Sequence, residues 1–265
     1  MIKIGTAGIP IRCKGRSSAE GILCVKDIGL QAMEVEFVRG VHMKNDAADE
    51  LRKVAEKSGI ALSAHAPYYI NLSSEEKIKI SQSKKRILDS MERAQHMGAK
   101  IVVVHPGYYG KMTKEQCFKL IKDGCEDIVS RHRGDVILGL ETTAKERAFG
   151  DLDEIIRICK EVSGCAPVID FAHIFARTSS IDYADILKKV SHFKHIHSHF
   201  SNMKKTQQGG HTDIHVPIEN APPFKPLAEQ LMKQKTSITI ISESPLIEID
   251  ALKMKHILES LGYNF

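Results

Sequence analysis

The sequence predicts an α/β fold: a (β/α)8 TIM barrel occupying residues 1–265 as one domain. Three observations carry that prediction. Eight short apolar runs alternate with longer stretches of helical periodicity. Runs such as IVVV at 101–104 and ITII at 238–241 are apolar throughout, as strands of a parallel sheet covered on both sides must be. The length of 265 residues, 42% of them hydrophobic, suits a single large core.

In chain order the predicted strands are 2–7, 32–37, 62–65, 101–105, 136–141, 167–170, 195–199 and 238–243. Between them lie helix starts of the capping-box kind: Ser73 with Glu76, Thr113 with Gln116, and Asp151 with Glu154. The longest predicted helix, 74–97, places Ile80, Ile87, Leu88, Met91 and Ala94 on one stripe. Lys84, Lys85 and Arg86 then fall on a solvated outer face. No linker, low-complexity tract or repeat beyond the β–α unit interrupts the pattern.

A formal charge of +5 and a pI near 8.8 are compatible with a polyanionic partner, but no Lys/Arg-rich tail marks nucleic-acid binding by itself. Six cysteines without a Cys-x-x-Cys pair read as packed thiols in a reducing compartment, with no disulfide. The first residues lack an apolar signal core, and nowhere do eighteen uncharged apolar residues run together. A cytoplasmic, soluble monomer with no membrane contact is expected.

The chemistry concentrates in 193–215, FKHIHSHFSNMKKTQQGGHTDIH. Alternation along a strand puts His195, His197 and His199 in one row, and Asp213 and His215 return from the basic, glycine-marked loop. Other strand ends add donors of the same kind. His65 ends the third strand, His105 the fourth and Glu141 the fifth. Asp170 ends the sixth with His173 just beyond, and Glu243 ends the eighth. In a barrel the C-terminal strand ends form one rim, so these scattered residues become a ring. Imidazole and carboxylate are ligands for zinc and its neighbours, and nine of them exceed what one ion needs; two or three ions are expected. Buried without a cation, such acids would be costly, and no Lys or Arg is adjacent in sequence at these strand ends.

The segments HAPYYINLSS (65–74), VVVHPG (102–107), LGLETTA (138–144), VIDFAH (168–173), HFSN (199–202), DIH (213–215) and ISESP (241–245) resemble the motifs of endonuclease IV, the zinc-dependent apurinic/apyrimidinic endonucleases. The resemblance runs from about residue 60 to 245 and matches residue type and order, strand by strand. It implies about three zinc ions, with manganese able to replace part of them. His65, His105 and a bridging Glu141 would hold one; Glu141, Asp170, His199 and Glu243 a second; His173, Asp213 and His215 the third. It further implies hydrolysis of double-stranded DNA on the 5′ side of an abasic site by a metal-hydroxide mechanism in which Glu141 and Glu243 are catalytic, leaving a 3′-hydroxyl and a 5′-deoxyribose phosphate. Tyr68 and Tyr69 match the family's wedge positions, Arg39 would act from the other side of the gap, and Lys204 and Lys205 would contact phosphate. Three departures touch the loops that shape the DNA groove: GTAGIP in the first strand, AKER at 144–147, and Asn202 where an acid often stands. His197, two residues from His199, is an alternative ligand in the seventh strand; HFSN leading into the loop favours His199.

The rival expectation is a sugar isomerase or epimerase with a related barrel. Such enzymes hold one divalent ion with a set equivalent to Glu141, Asp170, His199 and Glu243, and have no metal use for the other five residues. A DNA-binding barrel without turnover is a third reading, which the intact ligand set does not favour.

Overall fold

The computed structural model describes residues 1–13, 15–206 and 211–265, except for the side chains of Lys205, His211 and Thr212. Eight parallel strands close into a barrel: β1 (Ile2–Ala7), β2 (Ala32–Glu36), β3 (Ala61–His65), β4 (Ile101–Val104), β5 (Ile137–Glu141), β6 (Cys165–Asp170), β7 (Ile196–Phe200) and β8 (Ile238–Ser242). Each pairs with its sequence neighbour. Closure comes from the β1–β8 ladder, which runs from Ile2↔Ile238 to Thr6↔Ser242.

The strand interiors are apolar on both faces because two shells of core exist. Outward residues such as Ile4, Met33, Val102, Leu138 and Ile240 join one large cluster with the surrounding helices, whereas Ile101, Val103 and Val168 form a small separate one. Toward the C-terminal strand ends the barrel lining turns polar, with Glu34, Ser63, His65, Glu141, Asp170 and His199 all buried.

Helix starts follow local hydrogen bonding. The Thr113–Gln116 capping box forms at α4 (Lys114–Arg131), counting α1 (Ser18–Asp27), α2 (Asn45–Ser58) and α3 (Lys77–Met97) before it. A second box, Ser17 with Glu20, opens α1. Asp151 caps α5 (Leu152–Glu161) through the Asp153 amide instead of pairing with Glu154, whose carboxylate receives the Tyr109 hydroxyl. Ser73 does not start α3; its hydroxyl donates to the Tyr108 carbonyl at 2.7 Å, and the helix begins at Lys77. On α3, Lys84 pairs with Asp127 and Lys85 with Asp89, while Arg86 donates to the Tyr69 carbonyl. Four more helices follow: α6 (Phe171–Thr178), α7 (Tyr183–Lys189), α8 (Phe224–Gln234) and α9 (Glu248–Ser260). No described helix is long and apolar enough to cross a membrane.

Two further expectations are corrected. Cys13 and Cys24 form a disulfide, because a short 3-10 turn at Ile11–Cys13 folds back on α1 and brings their Cα atoms to 6.6 Å. Cys117, Cys125, Cys159 and Cys165 are buried free thiols as expected. The segment after β7 is not simply a loop: Asn202–Lys205 pairs antiparallel with His211–Val216, with an irregularity between Met203 and Lys205. Residues 207–210, between the two strands in sequence, lie outside the described residues. The ribbon returns over the barrel mouth and puts Asp213 and His215 on one face.

The strand contacts leave little room at Gly5, where an added Cβ would meet the Ala32 carbonyl oxygen at 2.4 Å. Gly5→Ala is expected to destabilise the fold by about 1–3 kcal/mol through overpacking between β1 and β2. A urea midpoint indistinguishable from wild type would contradict this packing.

Candidate metal centre

Glu141 is the centre of the arrangement. It is fully buried at the end of β5, and each of its oxygens meets two imidazoles. Oε2 lies 3.2 Å from His65 Nε2 and 2.8 Å from His105 Nε2; Oε1 lies 3.0 Å from His199 Nδ1 and 3.4 Å from His173 Nδ1. His199 Nδ1 is also 3.2 Å from Glu243 Oε1, and His215 Nε2 is 3.7 Å from Glu243 Oε2.

Three of these rings are oriented by a hydrogen bond at Nδ1. His65 Nδ1 is 2.9 Å from the Ala66 carbonyl, His173 Nδ1 2.9 Å from the Thr142 carbonyl, and His215 Nδ1 2.6 Å from the Ser201 hydroxyl. A carbonyl only accepts, so His65 and His173 donate Nδ1–H and turn Nε2 inward. This is how carboxylates and carbonyls beyond the ligands orient metal-binding histidines. Asp170 divides its oxygens in the same spirit. Oδ1 caps α6 by accepting from the His173 amide at 2.7 Å, leaving Oδ2 buried, 3.4 Å from His173 Nδ1 and with no hydrogen-bond donor among the described residues.

The donors fall into groups whose atoms all lie within 4.8 Å of one another: His65–His105–Glu141; Glu141–Asp170–His199–Glu243; and Asp170–His173–His215. With zinc–ligand bonds of about 2.0–2.1 Å, two ligands of one tetrahedral ion stand about 3.3 Å apart, close to several of the separations here. The residues therefore fit divalent ions. Asp213 stands outside the third group; His173 Nε2 is 3.3 Å from its Oδ1, but Lys145 Nζ holds its Oδ2 at 2.8 Å. Sequence adjacency could not show that lysine.

Lone pairs facing lone pairs in a buried site force unusual protonation when no metal intervenes. Burial opposes charge on His65, but its hydrogen bond to Glu141 and the field of Glu36 win and push its pKa up to about 10. Burial likewise drives Glu36 up to about 7, against the field of His65 and with that of Glu34. Glu243 is pushed well above its usual value by burial, opposed by His199 and reinforced by Glu141 and Asp170. Burial works against the charge of Glu141, yet His105 and His199 hold it well below the carboxylate range.

Several expected residues lie near this centre and others do not. Tyr68 lines the cavity of about 410 Å³ over the donors, together with His65, His105, His173, Asp213, His215 and Glu243. Tyr68 and Tyr69 are exposed, at 62% and 65%, rather than packed beneath a loop. The Tyr68 amide donates to the Val38 carbonyl, which joins its loop to that of exposed Arg39. Lys204 is exposed, and the Lys205 side chain lies outside the described residues. Asn202 does not face the donors. Its side-chain oxygen receives the amides of Glu219 and Asn220, and its Nδ2 donates to the Pro222 carbonyl, so it holds the chain that follows the ribbon.

His197 occupies a deeper level. Its Nε2 meets Glu34 Oε2 at 2.8 Å, an oxygen that Ser63 also contacts at 2.6 Å, while His199 Nε2 lies 2.8 Å from Glu34 Oε1. His195, just before β7 at the N-terminal end of the barrel and exposed, meets Ser237 and Thr239. The three histidines thus form one row, with His199 and His197 buried and His195 exposed at the far end. Sequence reasoning passed over Glu34 and Glu36; the available signal was an acid at alternate positions of AMEVE, two charges on the inner face of a strand otherwise apolar.

A closed parallel barrel with clustered imidazoles and carboxylates over its C-terminal mouth is the layout of metal-using barrel enzymes. The chain belongs to the xylose isomerase-like TIM barrel family, whose model matches residues 23–261. An uncharacterized protein of Methanocaldococcus jannaschii is 37% identical over 95% of each chain. An apurinic-apyrimidinic endonuclease of Caenorhabditis elegans is 30% identical over 68% of this chain and 49% of its own length. Among solved structures, endonuclease IV from Thermus thermophilus superimposes with a TM-score of 0.72 at 17% identity, covering 97% of this chain and 98% of that one. A D-tagatose 3-epimerase-like protein does so with 0.74 at 20%, covering 96% of each. At these identities the structural likeness establishes the fold; both an endonuclease and an epimerase share it.

Glu34 has the position of a carboxylate that orients a ligand: it contacts the nitrogen of His199 facing away from Glu141 and Glu243. Glu34→Gln is expected to weaken zinc binding about ten- to a hundredfold, the usual cost of losing such an outer partner. Calorimetric titration of the stripped protein measures it, and unchanged affinity would remove Glu34 from the metal centre.

Proposed function

We propose that this protein is a metal-dependent phosphodiesterase that cuts double-stranded DNA on the 5′ side of abasic sites, leaving a 3′-hydroxyl and a 5′-deoxyribose phosphate. The observation that carries the reading is the surplus of donors. Glu141, Asp170, His199 and Glu243 already form a group sufficient for one divalent ion, yet His65, His105, His173 and His215 turn further nitrogens into the same mouth. The likeness to apurinic-apyrimidinic endonucleases supports it from sequence.

Bound zinc, about three ions with manganese able to replace part of it, would supply Lewis acidity toward a phosphodiester and lower the pKa of water toward about 7. His65, His105 and Glu141 would hold one ion; Glu141, Asp170, His199 and Glu243 a second; His173, His215 and Asp213 the third. Glu141 links the first two groups through its separate oxygens. Glu243 lines the cavity, and with Glu141 it would be one of the two catalytic carboxylates. Tyr68 and Tyr69, exposed beside the donors, would wedge into the duplex where a missing base leaves no pair to break. Arg39 lies on the neighbouring loop, and Lys204 and Lys205 on the ribbon would contact phosphate. The second reading, a single-metal sugar isomerase or epimerase, is favoured by the self-sufficient four-residue group and by the epimerase-like solved structures.

On duplex DNA with one synthetic abasic site, the zinc-loaded protein should make a single nick 5′ to the lesion and leave undamaged duplex intact, and prolonged chelation should abolish cutting. Glu141→Gln should lower the rate more than about a hundredfold, beyond the loss expected for an outer-sphere change. Replacing both Tyr68 and Tyr69 with Ala should preserve metal content but reduce preference for the abasic strand. Metal-loaded protein that leaves abasic DNA whole while interconverting a ketose with its epimer would overturn the proposal in favour of the second reading.

A further inference from the structure

Asp213 differs from the other ligand-type acids of the mouth in having an ammonium as its neighbour. Lys145 Nζ lies 2.8 Å from Asp213 Oδ2, while the opposite oxygen faces His173 Nε2 at 3.3 Å. The lysine is in the segment AKER that directly follows the Glu141 strand. That segment is held in place: Arg177 Nη1 donates to the carbonyls of Thr143, Lys145 and Ala148 at 3.3, 2.9 and 3.1 Å. The Ala148 amide closes a turn on the Lys145 carbonyl at 2.9 Å. Lys145 therefore rises from a clamped backbone, its side chain 45% exposed and Asp213's 25%. Consistent with the pair, Asp213 falls outside the close group formed by Asp170, His173 and His215.

We propose that Lys145 is an internal cation that competes with the third metal ion for Asp213. The chain would then hold two ions tightly and admit the third only as the ammonium leaves the carboxylate. This rests on the metal-centred reading above and adds to it an order of filling that the ligand residues alone do not suggest. The physical basis is mutual exclusion. An ammonium and a divalent ion drawn to one half-buried carboxylate repel each other across a few ångströms, with less solvent screening than on an open surface. By linkage, whatever strengthens the Lys145–Asp213 pair weakens the third ion, and the reverse. Lys145 and Asp213 both line an open cavity of about 620 Å³ that also has Glu146, Arg147 and Arg177 on its wall, so the lysine has room to move off the carboxylate.

The test is stepwise zinc binding to metal-stripped full-length protein, read with a competing chelator and by elemental analysis after gel filtration. Wild type should take up two ions tightly and a third at least about tenfold more weakly. Lys145→Met and Lys145→Gln should leave the first two constants unchanged and tighten the third at least about tenfold, whereas Lys145→Arg should behave as wild type. Thermal melting of the stripped variants confirms that they are folded, as expected for a substitution at a half-exposed side chain. Three equally tight ions in wild type, or a third constant unmoved in folded Lys145→Met and Lys145→Gln, would overturn the proposal while leaving the multi-metal reading intact. No more than one ion bound by wild type would overturn both.

Discussion

A buried carboxylate with two imidazole nitrogens against each oxygen cannot be held together by those groups as neutral rings. Where a ring has committed its N–H to a carbonyl, as His65 has to Ala66, its other nitrogen offers a lone pair to an oxygen of Glu141 that also offers lone pairs. Something positive must lie between them, either a proton or a metal ion. Protons are the poorer solution, since they leave several charged imidazoles crowded in a desolvated mouth. Divalent ions satisfy many such contacts at once, and the separation of the donors into close groups matches that requirement.

The rest of the molecule follows from that constraint. Strands carry donors because a strand end is a rigid place from which to aim one side chain, and a closed parallel barrel points all its ends the same way. Loops alone would not hold the geometry, and the segment that brings Asp213 and His215 to the mouth pairs as a two-stranded ribbon, secured where Asn202 collects the amides of Glu219 and Asn220. Beneath the donors a second layer of Glu34, His197 and Ser63 supports His199 from inside the barrel. The lining also includes the apolar cluster of Ile101, Val103 and Val168, with Val168 in register with His197.

Much of this was legible in the residues themselves. The eight strands can be read because they are fully apolar where both faces are covered, and their observed limits differ from the sequence reading by at most two residues at either end. The donors at the strand ends are legible because His and acids at those positions have no other inexpensive reason to be there. What escaped reading depends on long-range contact. The Cys13–Cys24 disulfide joins a turn and a helix whose spacing matches no local motif. Lys145 reaches Asp213 from another β–α unit, and Ser73 is diverted from capping α3 by a carbonyl from the loop after β4. Glu34 was hidden by the apolar character of its strand, since alternation marks its two acids only once the inner face is known to be the functional one. The pairing of 202–205 with 211–216 is concealed in sequence by the polar, glycine-marked stretch between them, which reads as loop.

The central claim is that cations, not protons, occupy the spaces between these donors. Anomalous diffraction at the zinc edge, on crystals grown with zinc and without chelator, tests it most directly. The account predicts strong peaks between His65, His105 and Glu141 and between Glu141, Asp170, His199 and Glu243, with a weaker one beside His173 and His215. Imidazoles and carboxylates found in direct contact, with no anomalous peak among them, would contradict it.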